Sequence, residues 1–141
     1  MRFMIIRKAD KETEAGALPT TQLMTDMLNY NQELANAGML LDGMGLQPTS
    51  KGFRVKFSGG KPKVTDGPFT EAKELIAGFT LVQAKSKEEV LEWVKRWPAS
   101  DANGNAELEV RQVYEAEDFG PEFTPEMQAH EELLLKNISK K

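Results

Sequence analysis

Val64-Thr65-Asp66-Gly67-Pro68-Phe69-Thr70-Glu71-Ala72-Lys73-Glu74-Leu75-Ile76-Ala77-Gly78-Phe79 is the stretch on which the fold turns. An extended run enters it, Asp66-Gly67-Pro68 breaks that run, and a second extended run leaves from Leu75. Asp closes turns on its own backbone, Gly takes dihedrals that other residues avoid, and Pro fixes the exit direction. The exit run continues to Ala84, with Leu75, Ala77, Phe79 and Leu81 on one face and Ile76, Gly78, Thr80 and Val82 on the other. A strand apolar on both faces belongs inside a sheet that is covered on both sides.

Upstream, Phe53, Val55 and Phe57 alternate with Arg54, Lys56 and Ser58, the pattern of a half-exposed antiparallel strand. Gly59-Gly60 suits a two-residue hairpin turn, and Lys61 to Thr65 forms the return strand. Further back, Phe3 to Arg7 is a second strand apolar on both faces, and Ala9 to Thr20 reads as a loop. A helix follows, capped by Thr20 or Thr21, with Leu23, Met27, Tyr30 and Leu34 in a stripe and Gly38 ending it. Met39 to Leu46 is extended, and its Gly43 and Gly45 point to a bulge or a close backbone approach.

Downstream, Ser86-Lys87-Glu88-Glu89 is a capping box that opens a helix with Val90, Leu91, Val94 and Trp97 on one stripe. Pro98 closes it. Asp101 to Asn105 is a polar loop, and Glu107 to Val113 a last strand. Thr124-Pro125 caps a final helix of about three turns, with Met127, His130, Leu134 and Ile138 on one face and fraying expected at Ser139-Lys140-Lys141.

The order is strand, helix, strand, hairpin, strand, helix, strand, helix. Two split strand–helix–strand units around one antiparallel sheet make an α+β sandwich of the ferredoxin-like kind, with an inserted β-hairpin and a C-terminal helix. Its two main helices cover one face of the sheet. The two-faced strands require a cover for the other, and a second copy of the chain related by a two-fold axis supplies one. Residues 1–120 are expected as one domain and 121–141 as a helical extension.

Composition narrows the function classes. With 141 residues the chain is long enough for one self-sufficient core. It has no cysteine, which removes disulfides, thiol nucleophiles and thiolate metal sites and fits a cytoplasmic protein. Net charge is −4, with no basic face for nucleic acid. No apolar run spans a bilayer, and the first eight residues read as a strand and not as a signal peptide. No His cluster or phosphate loop is present, so neither metal nor cofactor is expected.

The candidate site centres on Asp66. At a cleft mouth, partial burial raises a carboxylate's pKa and fits it for general acid or base work. Glu71, Lys73 and Glu74 either line the same pocket or form a solvated turn with weak ion pairs. Arg111 forks onto a substrate carboxylate or phosphate if it faces the cleft. Tyr30 and Glu33 are further candidate lining, with core packing the competing role for Tyr30. Asp66-Gly67-Pro68 reads equally well as a folding turn. Whether a reaction follows binding is left open.

The stretch T-D-G-P-F-T-E-A-K-E-L-I-A-G-F also resembles the signature of the DGPF subgroup of YCII-related proteins. R-F-M-I-I-R, Y-N-Q-E-L-A-N-A-G-M-L-L, G-L-Q-P-T-S-K-G-F-R-V-K-F and E-L-E-V-R-Q-V match it as well, together covering roughly residues 1–120. The resemblance implies a ferredoxin-like fold and a homodimer whose sheets face each other in an α/β-barrel arrangement. Its members are mostly uncharacterised; some are encoded beside or fused to alternative sigma factors. A better-studied branch is credited with a His–Asp catalytic pair. The single histidine here is His130, in the C-terminal extension, so only the acidic half carries over, at Asp66. Two functional readings follow: a small-molecule binder with Asp-based acid–base chemistry, or a non-catalytic regulatory or protein-interaction module tied to a sigma-factor system.

Overall fold

The computed structural model describes residues 1–139. The chain runs β1 (Arg2–Lys8), α1 (Lys11–Glu14), α2 (Thr21–Asn36), β2 (Leu40–Gly45), β3 (Phe53–Ser58), β4 (Lys61–Asp66), β5 (Ile76–Gln83), α3 (Lys87–Val94), β6 (Leu108–Gln112) and α4 (Pro125–Ser139). The four-stranded sheet has the order β2-β5-β1-β6, and each neighbouring pair is antiparallel. This is the ferredoxin-like topology expected above. β3 and β4 pair only with each other, as an inserted hairpin.

Local chemistry sets the ends of these elements. The Thr20 hydroxyl accepts from the Leu23 N–H at 3.1 Å and opens α2, and the Ser86 hydroxyl does the same for Glu89 N–H at α3. Gly59 and Gly60 both have positive φ, the conformation that a tight hairpin turn needs. One stretch read as loop, Ala9 to Thr20, contains the short helix α1: Asp10 accepts from Thr13 N–H while the Thr13 hydroxyl accepts from Asp10 N–H. A single reciprocal cap over four residues leaves no periodicity to read. α4 has 15 residues, a turn longer than expected, and the fraying expected at Ser139–Lys141 falls at and beyond the end of the described residues.

The core lies on one side of the sheet. Phe3, Ile5 and Val82 point into it from the strands, and Tyr30, Leu34 and Val90 meet them from α2 and α3. The other side of β1 and β5 carries Met4 opposite Leu81 and Ile6 opposite Phe79, all four half-buried. The hairpin corrects the expectation of a half-buried strand: Phe53 and Phe57 are 66% and 68% exposed, so both of its faces meet solvent in the single chain.

Candidate functional site

Register across the sheet leaves part of its helix-facing side bare of side chains. On the helix-facing side, Gly45 sits opposite Gly78 and Gly43 opposite Thr80, while Arg7 and Ile5 stand beside Gly78 and Thr80. Three of the floor positions toward the β2 edge therefore carry no side chain. A Cβ at Gly78 would lie 2.7 Å from the Met44 carbonyl oxygen, so the position admits glycine alone. Above this floor passes the N-terminal half of α2. The result is an open cleft of about 1270 Å³ between the sheet, α2 and the segments 16–20 and 97–105. Leu23, Met24 and Met27 give it an apolar wall.

One end of the cleft is ionic. The Arg7 guanidinium donates Nε–H to Asp101 Oδ2 at 3.0 Å and Nη2–H to Oδ1 at 2.7 Å. Nη2 also donates to Asp10 Oδ2 at 3.2 Å, and Nη1 donates to the Lys8 carbonyl. The Trp97 indole N–H adds a third donor to Asp101, 2.9 Å from Oδ2. Both members of the main pair are sheltered, with side chains 12% and 8% exposed. Burial opposes the charge on Asp101, but the hydrogen bonds from Arg7 and Trp97 and the nearby guanidinium outweigh it and hold the carboxyl below its ordinary range. Asp10 is likewise depressed, its burial outweighed by hydrogen bonds from Thr13 and by Arg7. Arg7 is driven upward, chiefly by its bonds to Asp101.

This end is also conformationally fixed. Ser100 Oγ donates to Asp26 on α2 at 2.6 Å, and Ala102 and Asn103 follow Asp101 with φ of 51° and 54°. Non-glycine residues reach that region at a cost of order 1 kcal/mol each, and such residues cluster at ligand clamps. The ion pair to Arg7 and the bond to Asp26 hold the segment in place from two sides.

A fourth feature is polar inside the apolar wall. Asn31 follows Met27 by one turn on the inner stripe of α2 and lines the cleft. Its Oδ1 is sealed from solvent, and no described group donates to it.

None of the seven residues expected at the site lines this cleft. Asp66 is exposed at the end of β4, paired with Phe53 across the hairpin. Glu71, Lys73 and Glu74 are exposed in the turn before β5, where Glu74 beside it raises Glu71. They share a neighbourhood in sequence with Asp66, outside the cleft described above. Arg111 is exposed on β6 opposite Met4, on the sheet face away from the helices. Glu33 is exposed on α2. Tyr30 is core: its ring packs edge-on against Trp93 and Trp97, and its hydroxyl donates to the Trp93 carbonyl at 2.6 Å.

The Asp66-Gly67-Pro68-Phe69 turn has a visible architectural job. Gly67 N–H donates to the Gly52 carbonyl, and Phe69 N–H to the Thr49 hydroxyl. Thr49 in turn is held by Glu14 through its own N–H and hydroxyl. A Cβ at Gly67 would stand 1.8 Å from the Thr49 carbonyl oxygen. The turn thus locks the hairpin base to the 48–52 turn and to α1.

A model of the YCII-related domain matches residues 1–116. The chain belongs to the YCII-related family. Among YCII-related sequences, the uncharacterized protein R00369 of Rhizobium meliloti (strain 1021) is 30% identical over 94 residues, which is 66% of this chain and 76% of that protein. Among solved structures, the 5-chloro-2-hydroxyhydroquinone dehydrochlorinase TftG of Burkholderia phenoliruptrix AC1100, in complex with 2,5-dihydroxybenzoquinone, aligns with a TM-score of 0.46 at 19% identity. That alignment covers 81% of this chain and 94% of the other. Among the described residues of this YCII-related chain, no group of three or more His, Cys, Asp or Glu side chains is placed to hold a metal ion. No described helix is long and apolar enough to cross a membrane.

Proposed function

We propose that this YCII-related protein binds a small organic molecule in the cleft between α2 and the sheet. The observation that carries this is the side-chain-free floor at Gly43, Gly45 and Gly78, which leaves an open cleft of about 1270 Å³ against α2. A concave cleft walled by apolar side chains and bounded at one end by a fixed ionic cluster fits a small-molecule site. Asp101 has three hydrogen-bond donors on it and a depressed pKa, which makes it a weak base at neutral pH. The Arg7–Asp101 pair therefore shapes and anchors the cleft, and recognition precedes any chemistry. The reading includes membership of the DGPF subgroup, a cytoplasmic location and a homodimer formed through the open sheet face.

The test uses Gly45. Its backbone needs no positive φ, and nothing lies within 4 Å of an added Cβ, so Gly45→Phe fills the cleft without touching the backbone. A thermal-shift screen of a broad metabolite set runs in parallel on wild type, Gly45→Phe and Asp66→Asn. Ligands of the cleft stabilise wild type and Asp66→Asn and lose their effect in Gly45→Phe. Hits that survive in Gly45→Phe and vanish in Asp66→Asn would move the site to the D-G-P-F turn and defeat this reading.

A second reading, the non-catalytic interaction module, draws on α4. Met127, Leu133, Leu134, Leu135 and Ile138 are all more than half exposed there. It expects removal of residues 121–141 to abolish capture of a protein partner while leaving cleft ligands bound.

A further inference from the structure

The inserted hairpin carries a charge that the chain's net −4 conceals. From Lys51 to Lys63 the sequence has five cations, Lys51, Arg54, Lys56, Lys61 and Lys63, and no acid. Register gathers four of them on one face of the ribbon: Arg54 pairs with Thr65, Lys56 with Lys63, and Ser58 with Lys61. Phe53, Val55, Phe57 and Val64 hold the other face. Like charges directly opposite one another destabilise a strand pair. Lys56 nonetheless faces Lys63, both exposed, and no described carboxylate forms an ion pair with either. At the hairpin base Arg54 is held over the Phe69 ring, 3.8 Å from its centroid. A fixed cationic face without counter-charge is organised for an anion outside the hairpin.

Anionic surface of the matching kind lies elsewhere on the same chain. From Glu115 to Glu132 the sequence has seven acids and neither Lys nor Arg. Arg2 engages Glu115, whereas Glu117, Glu122 and Glu126 are exposed and in no ion pair among the described residues. Apolar groups stand among these acids as they do on the hairpin. Tyr114 stacks on Phe119, and both are more than half exposed. Within one chain the two segments are kept apart. The hairpin leaves from β2 and the acidic segment from β6, which are the two edges of the sheet. Three strand spacings separate those edges, roughly 14 Å. A two-fold axis along the strands turns one sheet over another and sets the β2 edge of each chain beside the β6 edge of its partner.

We infer that the cationic face of each hairpin docks on the acidic 115–132 segment of a second copy, so that a dimer holds two equivalent charge clasps. This inference rests on the homodimer reading above and adds which segments meet. A nucleic acid would see the same cations, but it would approach a chain that is net acidic and would gain nothing from the exposed aromatic groups of the 115–132 segment. The segment of a second copy brings both the opposite charge and apolar surface.

Sedimentation velocity on the full chain tests the clasp with two charge-reversed variants, Lys56→Glu with Lys63→Glu and Glu122→Lys with Glu126→Lys. Raising NaCl from about 50 mM to about 500 mM should weaken the wild-type dimer about tenfold or more, because exposed charges are screened. At low salt each variant alone should weaken it by about as much, since both clasps of its dimer then set like charges together. An equimolar mixture of the two variants should recover wild-type association. In that mixed dimer one clasp joins the two reversed segments and the other joins the two unchanged ones. Recovery also shows that both variants fold. A wild-type dimer indifferent to salt overturns the clasp without needing either variant, and so does a mixture that stays dissociated while each variant keeps the wild-type circular dichroism. A dimer that Leu81→Glu splits and both charge variants leave intact keeps the homodimer and removes the clasp. A hairpin variant that stays dimeric but loses wild-type binding to a short DNA duplex reassigns the cations to nucleic acid. If wild type is a monomer at micromolar concentration, the homodimer reading fails and this inference with it.

Discussion

At the scale of single residues, the molecule depends on a few side chains that cannot be exchanged for their near relatives. Asp101→Ala leaves the Arg7 guanidinium sheltered with only the more exposed Asp10 for company. Breaking a buried pair by removing one partner typically costs about 3–5 kcal/mol, and the urea midpoint should fall accordingly. The pH profile follows from the same group. Asp101 and Asp10 sit below their unfolded value of about 3.9. A depressed carboxyl contributes stability that is fully present above the unfolded pKa and is lost as pH falls through the folded one. The wild-type urea midpoint should therefore drop as the solution is acidified below about pH 4, and Asp101→Asn should flatten that limb. A slope unchanged in Asp101→Asn would show that the pair does not govern acid stability. Gly67→Ala tests the turn: a Cβ 1.8 Å from the Thr49 oxygen forces backbone apart, and a loss of at least about 2 kcal/mol is expected. Little of this was legible in the sequence. The parity of the first strand puts Arg7 on the same face as Phe3 and Ile5, and an arginine on a covered face demands a carboxylate. Its partner lies 94 residues away in what reads as a polar loop, and no local pattern links the two. Asn31 left a fainter trace, one polar residue a turn beyond Met27 on an apolar stripe.

At the scale of elements, the sequence was far more informative, because each helix and strand is set by periodicity and caps within a few residues of itself. The four sheet strands, the hairpin and the helices α2, α3 and α4 all begin where alternation, Thr20, Ser86 and Thr124-Pro125 put them, although α3 ends at Val94, short of the Trp97 expected on its stripe. What periodicity could not show is which parts of two elements stay apart. The cleft arises from glycines on two neighbouring strands falling in register, Gly45 against Gly78, and register is a property of the pair. The α2–α3 contact makes the opposite point, since its glue is one phenol. Tyr30 donates to the Trp93 carbonyl and packs edge-on against both tryptophans. Burial raises its pKa to about 12, with Glu33 adding to the rise and Arg96 opposing it. A raised pKa contributes stability that is complete below the unfolded value of about 10 and is lost as pH climbs through the folded one. Wild type should thus weaken between about pH 10 and about pH 12. Tyr30→Phe should be about 1 kcal/mol less stable at neutral pH, from the lost hydrogen bond, and insensitive across that alkaline window. An alkaline transition that persists in Tyr30→Phe would assign it to another group.

At the scale of the whole molecule, the sheet has two apolar faces, and α2 and α3 account for one of them. The other carries Met4, Leu81, Ile6 and Phe79 in two adjacent cross-strand pairs, all half-buried. Soluble monomers seldom leave a contiguous apolar patch of more than a few hundred Å² uncovered. The hairpin repeats the problem: two strands alone are marginal in water, yet Phe53, Val55, Phe57 and Val64 stand on one exposed face of it. The homodimer proposed above would cover both, sheet against sheet about one two-fold axis. Light scattering at micromolar concentration should then give twice the 15.8 kDa of one chain. Leu81 occupies the middle of the open face, opposite Met4 on β1 and Asp42 on β2, and takes no part in lining the cleft. Leu81→Glu places a carboxylate at that centre, where the partner's own Leu81→Glu would face it across the axis, and should halve the mass. The cleft lies on the opposite side of the sheet, so ligand binding by this variant separates two designs. A monomer that still binds makes each chain a complete site. A monomer that folds but no longer binds makes the second layer part of the site's support. A dimer that survives Leu81→Glu would mean that the sheets do not meet, and the apolar face would need another cover.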